Sequence, residues 1–323
     1  MVDLGFVLPN SSVVTGACTV EDLLQIAKTA DANPVWGHLW VGDSLLAVPR
    51  LESMVLLAAC AAVTKRIRLG VACEASLGFR DPVVSTIQWA SLDVVSNGRM
   101  TLIACTGSGK GEGNARDLQS FRMTYAEKVA RTEDVISLIR LANAGGPVNF
   151  DGRDTCLRGA ILKPKFVQTP MPIWMAANPP VDASDETLDR ALSRVARLGE
   201  GWMTFAIPPT ELKHRIERVN RLRRELVRSE GEFPICVYLD INVSSDRDGA
   251  FDDAIITCQR EGRQNATREA LTATAAIGTA ADCAEVLRQL LDVGATSLAL
   301  RPVTQRPGEQ LDRITSAVLP LLT

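Results

Sequence analysis

The sequence predicts an α/β fold in which eight β-α units close into one parallel barrel, with an insertion segment after strand 4. Three observations lead there. Short apolar runs rich in β-branched residues alternate with longer stretches of helical period, the pattern of strands and helices around a parallel sheet. The short runs are mostly apolar throughout, as strands covered on both faces are. The chain has 323 residues, 46% hydrophobic and 23% charged, enough buried surface for one large core, and α/β barrels reach about 250 residues or more as single domains. We therefore read residues 1–323 as one domain, with the insertion at approximately 107–170.

The elements follow in order. Leu4–Leu8 is the first strand, and Thr19-Val20-Glu21-Asp22 then opens a helix, with acidic side chains in the first turn where the helix dipole favours them. Leu39–Val41 is the second strand and Ile67–Cys73 the third. From Arg68 to Gly113 the chain runs strand, long loop, helix, strand and glycine turn. Its fourth strand, Met100–Cys105, ends in Thr106-Gly107-Ser108-Gly109-Lys110-Gly111, where backbone N–H groups can face a ligand. The insertion then holds a helix near Tyr125–Leu141, a break at Asn143-Ala144-Gly145-Gly146-Pro147, and a hairpin around the Asp151-Gly152 pair. Pro172–Ala176, Gly201–Thr204, Ile235–Ile241 and Ser297–Leu300 complete the eight strands, with a further helix start at Asp185-Glu186. Between Pro208 and Glu230, Leu212, Ile216, Val219, Leu222 and Leu226 form one apolar stripe among basic residues. This reads as an outer barrel helix with a solvated face; its rival reading is a docking face for an anionic partner or cofactor tail.

Composition removes several function classes. A net charge of −3 and a pI near 5.6 argue against nucleic acid or an anionic membrane as partner, which leaves a small molecule. The eight cysteines are scattered without paired short spacings and read as reduced thiols. The longest apolar run, Met54 to Val63, is far short of the roughly 20 residues of a membrane span, and the N-terminus enters a strand pattern at once. A soluble, cytoplasmic protein is expected. With His38 and His214 the only histidines, no histidine-rich metal site is expected, and a Ser-His-Asp triad is disfavoured.

Ligands of parallel barrels gather where strands end, so four segments are candidates: Gly42-Asp43-Ser44, Ala72-Cys73-Glu74, Thr106-Gly107-Ser108 and Ala176-Ala177-Asn178. The glycine turn is not a phosphate loop of the triphosphate kind, because Ala104 stands where its first glycine belongs and Gly111 follows Lys110. It reads either as a ligand-facing turn or as a surface turn. Small side chains at Ala176–Asn178 would let backbone amides approach a ligand oxygen, or merely pack strand on helix. Glu74, at the end of an apolar strand, would have a raised pKa suited to proton transfer, unless it is simply solvated. Asp43 invites the same two readings, and Cys73 reads as a small buried hydrophobe with no histidine to activate it.

Taken together and in order, several blocks resemble the bacterial luciferase-like monooxygenase superfamily of flavin and deazaflavin oxidoreductases. They are Gly5-Phe6-Val7-Leu8-Pro9, Trp40-Val41-Gly42-Asp43-Ser44, Arg68-Leu69-Gly70, Asp81-Pro82 through Gly98-Arg99, Val148–Arg153, Pro172–Ala177 and Ala196–Trp202. The resemblance implies a TIM-type barrel, usually dimeric, that holds FMN or the deazaflavin coenzyme F420 at its C-terminal mouth. It implies a non-proline cis peptide near Ala72-Cys73 under the cofactor ring. Thr106-Gly107-Ser108 would touch the ring or ribityl chain, and Ala176-Ala177-Asn178 the phosphate. The chain departs from the deazaflavin sugar dehydrogenases at Ser44 and Ser108, where they carry histidine and glutamate, and from luciferase at Thr106 or Gly107, where luciferase carries arginine. Neither activity carries over.

The reading reached is a flavin-dependent oxidoreductase acting on a small organic substrate, with FMN and O2 or with coenzyme F420 as hydride carrier. Asp43, Ser44 and Glu74 are its candidate proton handlers, a lid follows Gly107, a separate flavin or F420 reductase is a possible partner, and no metal is needed. Two other readings stay open: a non-catalytic flavin-binding protein on the same barrel, and a cofactor-free barrel lyase or isomerase.

Overall fold

The computed structural model describes residues 2–107, 112–226 and 231–322. In chain order the elements are β1 (Asp3–Leu8), α1 (Asn10–Val14), α2 (Val20–Ala32), β2 (Trp36–Val41), α3 (Ser53–Val63), β3 (Arg68–Glu74), α4 (Pro82–Ser96) and β4 (Met100–Cys105). There follow α5 (Glu112–Ser120), α6 (Tyr125–Ala144), β5 (Val148–Asp151), β6 (Cys156–Ala160), β7 (Ile173–Ala176), α7 (Asp185–Leu198), β8 (Trp202–Phe205) and α8 (Pro209–Glu225). The chain closes with β9 (Ile235–Val243), α9 (Arg247–Arg260), α10 (Arg268–Thr274), β10 (Ala275–Gly278), α11 (Ala280–Asp292), β11 (Ser297–Pro302) and α12 (Gln310–Arg313).

Strands β1, β2, β3, β4, β7, β8, β9 and β11 pair in parallel in that order, and β11 pairs back onto β1, so the barrel closes as expected. All eight expected strands are present, with β2 starting at Trp36 rather than Leu39. The ninth strand of this sheet, β10, was not expected. It lies along Asp240–Val243 of β9, beyond Tyr238 where pairing with β8 ends. Between β4 and β7, α6 packs on α4 as the outer helix of the fourth unit, and the antiparallel pair β5–β6 forms the expected hairpin.

Helix starts follow local chemistry. Thr19 and Asp22 form a reciprocal capping box at α2, as Thr124 and Glu127 do at α6, so two otherwise orphaned backbone donors are satisfied at each. Asp81 accepts from Val83 N and Val84 N at α4, with Pro82 in its first turn, and Asn97 ends that helix in the left-handed region at φ 58°.

The barrel interior is a packed core. Val7, Trp40, Ala72, Ile103, Trp174, Met203, Cys236, Tyr238 and Ala299 form one buried cluster, and every barrel strand contributes to it. Glycine makes room for its tryptophans: a Cβ on Gly70 would lie 2.3 Å from Thr101 O and 2.5 Å from the Trp40 ring. His38 stacks on Trp40 with ring centres 4.7 Å apart, and its Nδ1 lies 2.8 Å from Asp3, which closes the N-terminal end of the barrel. A larger apolar cluster fills the layer between barrel and helices, including Leu57, Trp89, Leu192 and Leu287.

Two residues from the blocks that carry the resemblance are latches in the fold. Buried Asp93 accepts from Val167 N, Gln168 N and Gln168 Nε2, which ties the approach to β7 onto α4. The Arg99 guanidinium donates to the carbonyls of Ala61, Thr64, Ile67 and Ser96. The solvated face expected of α8 is present at Lys213, Arg221 and Arg224, which are exposed, but three other arginines of the helix turn to its neighbours. Arg215 is buried and donates to Pro179 O and Pro180 O, Arg218 pairs with Asp185 and Asp189 of α7, and Arg223 lies over the Phe233 ring. These guanidiniums join α8 to its neighbours, and residues 227–230 lie outside the described ones.

Candidate functional site at the strand ends

The peptide bond between Ala72 and Cys73 is cis, at the place where the resemblance puts one. The pairing of β3 with β4 shifts register between Val71 and Glu74. Across that shift the period-two alternation resets, so that Ala72 and Cys73 both pack on the interior cluster while Glu74 turns to the helical layer. The Cys73 thiol meets that of Cys105 at the end of β4, where Gly107 N also donates to Cys105 Sγ at 3.3 Å. The hydrogen bond from Cys73 lowers the Cys105 thiol to about 7 against the effect of burial, helped by Gly107 N–H and the Lys128 ammonium. Cys73 is pushed up in return. Lys128 of α6 is itself buried, with Nζ 4.4 Å from the centre of the Phe79 ring. Desolvation lowers its pKa, while the two thiols, Asp117 and Asp43 oppose that.

Glu74 does not reach the mouth. It is fully buried, accepts from Trp89 Nε1 at 3.0 Å and lies 3.2 Å from Arg80 Nε. Burial, then the charge of Asp43, pushes its carboxyl up to about 8, in spite of Arg80 and Trp89. Its raised pKa agrees with the expectation, but its position assigns it to the packing behind β3 rather than to proton transfer above it. Asp43 bridges loops: one carboxylate oxygen accepts from Ser53 Oγ at 2.8 Å and the other from Ser76 N at 2.7 Å. Ser44 Oγ accepts from Val48 N at 2.9 Å, holding the loop after β2 in a tight turn.

Thr106 and Gly107 are held from α6, since Tyr125 donates its hydroxyl to Gly107 O at 2.9 Å and its oxygen lies 3.3 Å from Thr106 Oγ1. Ser108, expected beside them, lies outside the described residues, as do Gly109, Lys110 and Gly111, where the expected lid begins. Ala176 and Ala177 are partly exposed and Asn178 is exposed. The Ala177 N–H continues the ladder to Met203 O, so it is not free to donate to a phosphate, and the Ala177 carbonyl accepts from Trp202 Nε1. Asn178 Oδ1 accepts from Thr204 Oγ1. The strand ends therefore bring Ala72, Cys73, Cys105, Thr106 and Ala176 to one small-residue floor above the interior cluster, with Asp43 beside it and Glu74 behind it. Sequence reasoning missed Cys105 and Lys128. The signal for Cys105 was its place as the last residue of a barrel strand; Lys128 carried none.

No group of three or more His, Cys, Asp or Glu side chains that could hold a metal occurs among the described residues. No described helix is long and apolar enough to cross a membrane.

The family model of the luciferase-like monooxygenases matches residues 3–297 of this chain. Uncharacterised proteins of Mycobacterium bovis and Mycobacterium tuberculosis are 29% identical over 232 residues, 70% of this chain and 74% of theirs. Among solved structures, an F420-dependent secondary alcohol dehydrogenase in complex with an F420-acetone adduct superposes with a TM-score of 0.82 at 14% identity, over 100% of this chain and 99% of that one. The monooxygenase RslO1 from Streptomyces bottropensis gives 0.77 at 15% identity, over 99% of this chain and 100% of its own. At those identities the structures establish likeness of fold.

Proposed function

This chain belongs to the luciferase-like monooxygenase family, and from that premise we propose that it is an oxidoreductase that binds FMN or coenzyme F420 at the strand ends and acts there on a small organic substrate. The observation that carries the reading is the floor itself. Ala72, Cys73, Cys105 and Ala176 are small and sit together at the ends of β3, β4 and β7, with Ala72, Cys73 and Ala176 resting on the interior cluster. A flat ring fits such a floor, because side chains of this size leave room for it.

When bound, either cofactor would supply the two-electron chemistry that the side chains lack. The protein's part is orientation and protons. Asp43 fixes the loops after β2 and β3 to each other, Tyr125 fixes the turn at Gly107, and the filled barrel keeps water from below. Cys105 Sγ, lowered to about 7, is the atom at the mouth that can hold or release a proton near neutrality. A separate reductase would regenerate the cofactor.

The test is titration of the purified protein with FMN and with coenzyme F420, oxidised and reduced, followed by absorbance and by quenching of tryptophan emission. Saturable binding of one of them is expected, and its perturbation by Ala72→Leu, which fills the floor. Absence of binding by either cofactor would overturn the reading.

A further inference from the structure

Across the mouth from that floor the barrel carries charge. Arg301 and Asp240 continue the inward-facing rows that contain Ala299 and Tyr238, one position above the interior cluster. Arg301 Nε meets Asp240 at 2.7 Å, and its Nη1 meets Glu261 at 3.2 Å. Arg263 reaches the same two carboxylates, at 2.7 and 3.5 Å. Ser11 donates its hydroxyl to the other oxygen of Glu261. Both carboxylates are thus shared between two arginines.

A third arginine enters the same group. Arg50, from the loop between β2 and α3, has Tyr238, Arg301, Glu261 and Asp43 as its charged or ionisable neighbours. Its Nη1 occupies the space beside Gly42, where a Cβ would lie 2.1 Å from it. Its Nε is shielded from solvent and has no acceptor among the described residues. Asp43 acts on it through its charge, while its two oxygens accept from Ser53 and Ser76. Three guanidiniums, those of Arg50, Arg263 and Arg301, therefore stand among the three carboxylates of Asp43, Asp240 and Glu261, and of the three Arg50 is the one for which no direct ion pair with them is seen. Burial lowers the Arg50 pKa, as it does for a cation whose desolvation its neighbours do not offset. A solvent-shielded donor without an acceptor is costly, and an incoming oxyanion would supply that acceptor. The end of β8, between β7 of the floor and β9 with Asp240, carries an apolar shoulder: Phe205 is 50% exposed and lies edge-on to Tyr238, ring centres 5.0 Å apart.

We propose that the substrate carries an oxyanion, such as a carboxylate or phosphate, which Arg50 binds, while Phe205 and Tyr238 flank the apolar part that extends toward the floor. This assignment rests on the proposed oxidoreductase function for what happens at the floor, but the anion site stands on its own geometry. The same oxyanion chemistry could be supplied by the phosphate of the cofactor, so the two sources are separated in the test.

Benzoate and inorganic phosphate, exchanged for chloride at constant ionic strength, are titrated against the wild type, Arg50→Met and Arg50→Lys, with thermal unfolding as readout. FMN and coenzyme F420 are titrated into the same three proteins separately. The expected result is that benzoate or phosphate raises the wild-type Tm, that Arg50→Met weakens this response by about tenfold or more, and that Arg50→Lys retains part of it. In anion-poor buffer Arg50→Met should melt at or above the wild-type Tm, which a merely structural arginine would not allow. Cofactor affinity should stay unchanged. An anion response that is equal in wild type and Arg50→Met, or absent from the wild type, overturns the proposal. A parallel loss of cofactor affinity in Arg50→Met assigns the site to the cofactor's phosphate and overturns it equally. If the wild type binds neither cofactor yet shows the Arg50-dependent anion response, the anion site holds and only the oxidoreductase reading fails. Should Arg50→Met not fold, Arg50→Lys carries the comparison, with a weakened anion response expected and an unchanged one counting against the site.

Discussion

Cys105 owes its thiol chemistry to the Cys73 thiol first, then to the N–H of Gly107 two residues on and to the ammonium of Lys128. Iodoacetamide labelling read by peptide mass should therefore show Cys105 reacting faster as pH rises through about 7, and Lys128→Met should move that midpoint upward. A midpoint near the ordinary thiol value of about 8.5, unmoved by Lys128→Met, would show that the ammonium does not act on it. Glu74 gives a second prediction at this scale. Its folded-state pKa, about 8, is raised above the 4.5 of the free side chain, so the folded protein holds this proton more tightly than the unfolded chain does. The stability this contributes is complete below about pH 4.5, and is lost as pH rises through about 8. A tenfold difference in proton affinity is worth about 1.4 kcal/mol, so Glu74→Gln should gain on the order of 5 kcal/mol over wild type at pH 9 and little at pH 4. Denaturant unfolding at both pH values measures it, and parallel pH curves for the two proteins would refute the account. Of these features the sequence showed that Glu74 ends an apolar strand and would have a raised pKa. It did not show which way the side chain turns, because that depends on a register shift that strict alternation does not contain.

At the scale of elements, the eight barrel strands were legible because each is a compact apolar run, and Met100–Cys105 needed no change at either end. The fourth unit was harder to read: α6 looked like part of an insertion, since only packing on α4 shows it to be a barrel helix. Strand β10 escaped notice because it has only four residues, Ala275–Gly278, and none of them is aromatic and only Ile277 is β-branched. The charge on α8 was legible as charge, but not as ion pairs to α7 and the Pro179–Pro180 turn, which only the folded neighbours reveal. The inner faces of the strands give a test. Gly70→Ala would press a methyl group against Thr101 O and the Trp40 ring, and overpacking of this kind costs about 1–3 kcal/mol or more. A drop in Tm with loss of near-ultraviolet tryptophan dichroism is expected, and an unchanged Tm would mean that the interior yields more easily than its packing suggests.

For the whole molecule, one surface is unlike the rest. Val55 of α3 and Val84 and Val95 of α4 are 71%, 51% and 56% exposed, with Ile87 and Val94 on the same helix also exposed. Helix α3 is apolar on all sides, a composition suited to a helix covered on all sides. We propose that a second copy of this chain covers this face, as the expected homodimer requires. Sedimentation should then find a dimer for the wild type and a folded monomer for Val84→Glu combined with Val95→Glu. A wild-type monomer at micromolar concentration would remove the dimer from the account. The family itself was legible from the order of short blocks along the chain, whereas Arg50, Arg301 and Asp240 were not singled out, because they converge from opposite ends of the sequence.

The stacked imidazole and indole in the lower barrel, sealed by Asp3, also constrain traffic. Among the described residues they shut the route through the bottom of the barrel. If the proposed cofactor lies on the floor, a reactant that arrives above it from the strand ends would block its exit until that reactant has itself departed.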